Sequence, residues 1–330
     1  MADIETAPFN PVRIDTRDIP PPSTISAAAR QALSQGAANP RADWPPAADT
    51  PAWREAIAAS DAMWAEMAAP MLESAAASVE TRDIAGVTCH DCVPDAGVVA
   101  GSPVYLYIHG GAFVVGGGAF ARALGARNAA ALGVRVISVD YRMPPDHPFP
   151  AAPEDCVTVY RALIGAMDAS RIVIGGSSAG GNLAAATTLM IRDRRLPMPA
   201  GTILLTPEVD LTESGDSFRT NADLDVVLKR GLPDCNALYA GRHKLNDPYL
   251  SPLFADFNRG FPPTLLQTGT RDLFLSNTVR MHRKLRAAGI DAELHVWEAM
   301  PHGGFGFGDA PENGEIETEV ARFIARVTQR

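Results

Sequence analysis

Apolar positions along this chain alternate between short unbroken runs and stretches with helical spacing. Val104-Tyr-Leu-Tyr-Ile108 is wholly apolar and reads as a buried strand. Val134–Val139, Ile172–Ile174, Thr202–Leu205, Thr264–Gln267 and Ala292–Val296 read as further strands, and Thr81–Val93 as an edge hairpin strand. Between them Ala119–Leu132, Pro153–Met167, the small-residue run after Ser178, Asn277–Ala288 and Glu315–Arg326 read as helices. Pro153 with the acids Glu154 and Asp155 suits a helix start. This alternation predicts an α/β fold, a mostly parallel sheet covered by helices on both faces, with ligands at the carboxyl ends of the strands.

Two regions depart from the alternation. Residues 1–80 are rich in Ala and Pro and carry two helical patches, one from Ser26 to Leu33 and one from Ala52 to Ala69. In the second, Trp53, Ile57, Trp64 and Met67 fall near helical spacing behind Pro51. Such a surface can line an acyl pocket, but it more often packs as core. The stretch Pro207–Pro263 has no clear sheet pattern and is too long for an ordinary loop. The expected organisation is therefore a cap segment over residues 1–80, a core over 81–206, a second cap segment over 207–263, and completion of the core over 264–330.

Bulk properties narrow the class. At 330 residues the chain suits one large domain with an insertion or cap. A net charge of −9 argues against a nucleic-acid partner, which requires clustered Lys and Arg. No apolar run is long enough for a membrane span, and Met1-Ala-Asp-Ile-Glu-Thr lacks the pattern of a secretory signal, so a cytoplasmic protein is expected. Cys89-His-Asp-Cys92 has a metal-like spacing, but no second ligand pair follows it. On a strand, positions three apart face opposite ways, so no metal site is expected there.

The chemistry centres on Ile172-Val-Ile-Gly-Gly-Ser-Ser-Ala-Gly-Gly-Asn-Leu. It contains Gly176-x-Ser178-x-Gly180 between a strand and a helix, the setting of a nucleophile elbow. A serine on so sharp a turn is exposed, and its neighbours two residues away must lack a β-carbon. Ser177 fails that test, because it is flanked by Gly175 and Ala179. A base must follow, and His302 is the one histidine of seven that stands on a Pro/Gly loop just after the last strand. The acid should lie between them. Asp272, directly after the strand Thr264–Gln267, is favoured; Glu208 and Asp210, after Thr202–Leu205, are the alternatives. His109-Gly-Gly-Ala-Phe113, straight after a buried strand, matches a loop that offers backbone N–H groups to an oxyanion.

With these residues in place, the chain resembles the bacterial hormone-sensitive-lipase-like carboxylesterases, capped α/β-hydrolases. The matching pieces are His109-Gly-Gly-Ala, Asp140-Tyr-Arg-Met-Pro-Pro-Asp-His-Pro-Phe-Pro, Gly176-Ser-Ser-Ala-Gly-Gly-Asn-Leu-Ala, Gly269-Thr-Arg-Asp-Leu and Pro301-His-Gly-Gly-Phe, in family order. The resemblance implies an α/β-hydrolase fold, no cofactor, and a Ser178–Asp272–His302 triad. It also implies an oxyanion hole from the N–H groups of Gly111, Ala112 and Ala179, with Gly110 shaping the loop and His109 bracing it. Two departures stand out. Ser177 replaces the family's usual Asp, and the acid motif reads Asp272-Leu-Phe-Leu-Ser276 in place of Asp-Pro-Leu-x-Asp. The implied activity is hydrolysis of short- to medium-chain acyl esters, with a lactone or amide hydrolase as the alternative and homodimers common in the family. A binding protein on this fold would lack the histidine, which is present here.

Overall fold

The computed structural model describes residues 12, 14, 16–39 and 43–329. Residues 1–11, on which the expectation of no secretory signal rests, lie outside them. Helix α1 (Ala27–Ala38) starts at Ser26, whose hydroxyl accepts the Ala29 N–H. Helix α2 (Thr50–Ser74) starts at Asp49, whose carboxylate accepts the Ala52 N–H, with proline in its first turn. The chain then enters a hairpin of β1 (Ala77–Ile84) and β2 (Val87–Pro94). Thr81–Val93 is thus two strands rather than one. They turn at Ala85 and Gly86, both of positive φ.

The alternation follows as expected: β3 (Val104–Ile108), α3 (Ala119–Leu132), β4 (Arg135–Val139), α4 (Ala151–Ile164), β5 (Ile172–Ser177), α5 (Ala179–Asp193) and β6 (Gly201–Leu205). Between β6 and the next strand lie only two short helices, α6 (Ser217–Thr220) and α7 (Pro233–Ala240), and a helical turn at Pro252–Phe254. The chain closes with β7 (Thr264–Gly269), α8 (Leu275–Ala287), β8 (Ala292–Trp297) and α9 (Pro311–Thr328).

The strands form one sheet in the order β1-β2-β4-β3-β5-β6-β7-β8. β2 pairs antiparallel with β1 and β4; every other pairing is parallel. All five residues of β3 are buried, as a strand covered on both faces requires. Alternate residues serve the two layers. Leu106, Ile108, Ile137, Val139, Ile172 and Ile174 pack with α4 and α5. Tyr105, Tyr107, Val136, Val173 and Ile203 pack with Val320, Phe323, Ile324 and Val327 of α9. Cys89 and Cys92 are buried in opposite layers as free thiols.

The N-terminal helices lie against the end of the sheet that carries the loops. Ser26 holds the start of α9 through Glu312, its N–H and hydroxyl donating at 2.7 and 2.8 Å. Trp53, Ile57 and Trp64 of α2 pack with Val114, Val115, Leu232, Cys235, Leu273 and Phe274. Met67, on the same sequence pattern, is 37% exposed and does not join them. Among the described residues no helix is long and apolar enough to cross a membrane.

Candidate active site

Strand β5 delivers Ser178 at the first step of α5, with φ 59° and ψ −123°. A side chain rarely adopts these angles, and holding one there costs on the order of 1–3 kcal/mol, supplied by the packing around it. The two flanking glycines explain how the turn closes. A β-carbon on Gly176 would lie 2.2 Å from the Ile108 carbonyl oxygen, and one on Gly180 would lie 2.0 Å from the same atom. Ser178 itself is half-buried, and its N–H donates to the Leu205 carbonyl at 2.9 Å.

His302 and Asp272 come from the loops after β8 and β7. His302 Nδ1 lies 3.1 Å from Asp272 Oδ1, and both side chains are buried. A carboxylate only accepts, so Nδ1 carries the proton and Nε2 is left as the free base. Asp272 is itself fixed: Thr268 Oγ1 donates to Oδ2 at 2.6 Å and the Phe274 N–H to Oδ1 at 2.9 Å. The Phe274 ring meets the imidazole edge-on, centroids 4.8 Å apart. No hydrogen bond joins Ser178 to His302 among the described residues, a contact that commonly forms only with substrate in place.

The two alternative acids are placed elsewhere. Glu208 is fully buried against Asn236, which donates to Oε1 at 2.8 Å, and burial pushes its carboxyl up to about 8, with Glu213 and Asp210 adding to the effect. Asp210 is occupied by Thr212, Ser214 and Arg280. Neither bonds to His302.

The loop after β3 lies beside Ser178. A β-carbon on Gly110 would sit 2.9 Å from the Ser177 carbonyl oxygen and 3.3 Å from the Ser178 β-carbon. Gly111 has φ 121°, and Ala112 and Phe113 follow with positive φ. The Gly111 carbonyl accepts the N–H groups of Val114 and Val115 at 3.0 Å, while the N–H groups of Gly111 and Ala112 enter no backbone bond of the turn. Ala179 opens α5, so its N–H has no carbonyl ahead of it in the helix. Three donors thus stand free near Ser178.

His109 supports this loop. It is fully buried, donates from Nδ1 to the Gly110 carbonyl at 2.7 Å, and stacks on Tyr141 with centroids 4.1 Å apart. Burial lowers its proton affinity, so it stays neutral. The Tyr141 hydroxyl donates to the His109 carbonyl at 3.0 Å. Arg142 is gripped by Asp155 through its backbone N–H and its guanidinium. The Asp140-Tyr-Arg segment thus braces the glycine loop from behind.

Sequence reading missed Asp225. This carboxylate is fully buried, accepts the His302 N–H at 3.1 Å through Oδ2, and accepts the Leu273 N–H at 2.8 Å. It lies in a stretch without periodicity, and no local motif marks it. The grouping of metal-binding type found among the described residues, Glu293, His295 and Glu319, shares no member with this site. Its acids are already held by Arg326 and Arg322.

Comparison with known proteins agrees with this fold. A family profile described as the alpha/beta hydrolase fold matches residues 105–306. The crystal structure of an esterase superposes with a TM-score of 0.89 at 36% identity, covering 96% of this chain and 99% of that one. A hormone-sensitive lipase from a metagenome library superposes with a TM-score of 0.78 at 30% identity, covering 90% and 96%. An esterase of Acinetobacter venetianus is 36% identical over 203 residues, which span 59% of this chain and 65% of that protein. This chain belongs to the α/β-hydrolase fold family and, within it, is a carboxylic ester hydrolase of the bacterial hormone-sensitive-lipase group.

Proposed function

We propose that Ser178, His302 and Asp272 act as nucleophile, base and acid in hydrolysing short- to medium-chain acyl esters. The observation that carries this reading is the buried His302–Asp272 bond of 3.1 Å, at the same end of the sheet as the strained Ser178 turn. His302 Nε2 takes the Ser178 hydroxyl proton as Oγ bonds to the ester carbonyl carbon. The carbonyl oxygen becomes an oxyanion, held by the N–H groups of Gly111, Ala112 and Ala179, with Gly110 keeping the loop against Ser178. One such donor is worth a factor of about 10²–10³ in rate. The C–O bond to the alcohol then breaks, and His302 returns the proton to the leaving oxygen. Water repeats the sequence on the acyl-enzyme and frees Ser178. Asp272 keeps the proton on Nδ1 and stabilises the cation formed at each step.

Helices α1 and α2, together with residues 207–263, form a cap over this centre in our reading. The packing of Trp53, Ile57 and Trp64 on Leu232, Cys235, Leu273 and Phe274 supports it, because these side chains meet beside the acid and the glycine loop. The test is hydrolysis of 4-nitrophenyl esters from acetate to dodecanoate, with Ser178→Ala and His302→Asn as controls. Turnover by the wild type alone, strongest on the shorter chains, is the expected result. A Ser178→Ala protein that keeps its activity and is still labelled by a fluorophosphonate would overturn the assignment.

A further inference from the structure

We infer that Asp225 is a second carboxylate of the catalytic centre, a positioning residue that sets the alignment and charge balance of His302. The inference rests on the triad reading and adds to it a residue from outside the alternating core.

Asp225 belongs to a turn that clasps the loop of the acid and the loop of the base together. Its Oδ2 accepts the N–H groups of Leu273, next to Asp272, at 2.8 Å and of His302 at 3.1 Å. Its Oδ1 accepts Val227 and Leu228 at 2.9 and 3.1 Å, and His302 again at 3.3 Å. Four N–H groups therefore converge on one buried carboxylate. From the same turn Asn221 donates to the carbonyls of Thr270 and Asp272 at 3.2 and 2.8 Å. Acceptors and donors of the acid loop are thus both taken by one short segment. Helix α1 backs that segment, with Val226 packed on Leu33, Ala299 and Met300.

The titratable groups that face Asp225 are His302 and Asp272, and His302 is the one that can become a cation. Burial pushes the Asp225 carboxyl up to about 6 and Asp272 adds to this, while His302 and the N–H groups pull it down. Two carboxylates thus face one histidine, Asp272 at the ring and Asp225 at the backbone N–H. During ester attack the imidazole becomes positive, and a nearby charge in a dry site stabilises that cation more than it would in water. A carboxylate that served only to hold the fold would support the loops without altering how the imidazole takes up a proton.

The test is Asp225→Asn, which keeps the shape and one accepting oxygen but removes the charge. The readout is kcat and kcat/KM for 4-nitrophenyl butyrate against pH. We expect kcat to fall roughly ten- to a hundredfold with KM little changed. We also expect the acid limb of kcat/KM to move to lower pH by about one unit, because the protonated imidazole loses one of the two carboxylate charges near it. A normalised profile superimposable on the wild type, with only the melting temperature lowered, would mean that Asp225 is structural and would overturn the inference. Should Asp225→Asn not fold, the same coupling is read from the other partner. In His302→Asn the Asp225 carboxyl, followed by carbon NMR, titrates at higher pH than in the wild type; an unchanged midpoint refutes the coupling. Ser178→Ala and His302→Asn separate the two readings. If both are inactive and Asp225→Asn keeps the wild-type profile, only the role of Asp225 fails. If either is active, the triad reading fails first.

Discussion

Replacing Glu208 by Gln isolates a buried acid beside Ser178. Its N–H donates to the Ser178 carbonyl at 3.3 Å, and its carbonyl accepts from Asn182 at 2.6 Å, so the residue is built into the elbow. The side chain is fully buried, with the Asn236 bond on one oxygen and none on the other. Burial raises the carboxyl from 4.5 to about 8. An acid with a raised value in the fold contributes stability that is complete below about pH 4.5. That stability is lost as pH rises towards about 8, because the unfolded chain has released the proton that the fold retains. At about 1.4 kcal/mol per pH unit this reaches roughly 5 kcal/mol, an upper value, since relaxation and water entry reduce it to about 2–5 kcal/mol. Glutamine copies the protonated acid and cannot ionise. Glu208→Gln should match the wild type at about pH 4 and exceed it at about pH 9. With an unfolding entropy of about 0.7 kcal/mol/K for this length, the gain is roughly 3–7 °C in melting temperature. All other groups are common to both proteins, so the difference belongs to Glu208. Thermal melts across that range decide it. A gap between the two proteins that is the same at both ends would show that Glu208 is already ionised and would refute the reasoning.

Two further outcomes follow from the site. Asp272→Asn puts an amide where three donors converge, so kcat should fall by about 10³–10⁴ with the melting temperature changed by a few degrees; a loss below about tenfold would move the acid elsewhere. Gly110→Ala places a β-carbon against Ser177 and Ser178 and shifts the glycine loop, which should lower kcat by about a hundredfold, read in the same ester assay. Wild-type turnover in that variant would show that the loop has room to move.

Much of this site was legible because its signals are local. Gly176-x-Ser178-x-Gly180 is dictated by contacts within one strand-to-helix turn, and both glycines are explained by a single carbonyl. His302 and Asp272 could be chosen by position, each just past a strand of the sheet. Asp272 was already favoured over Glu208 by its place after a strand, and packing adds that Asn236, not His302, meets the Glu208 side chain. Asp225 was out of reach: its partners lie 48 and 77 residues further along the chain, and its own turn has no periodicity. The division between β1 and β2 was hidden for a different reason. β1 is an edge strand of mostly exposed positions, and the alanine at the turn carries no conformational signal. Met67 shows the limit of helical spacing, which predicts a shared face but not whether anything covers it.

The carbonyl of Ile108 touches both glycines of the elbow and is followed directly by His109 and Gly110. In the proposed mechanism the attacking oxygen and the groups that receive the developing charge would thereby be measured from one peptide plane. The proposed base and acid lack that common origin: His302 and Asp272 follow β8 and β7 towards the other edge of the sheet and are tied in by Asp225 and Asn221. On that reading, drift would gather between the two halves of the site rather than within either one.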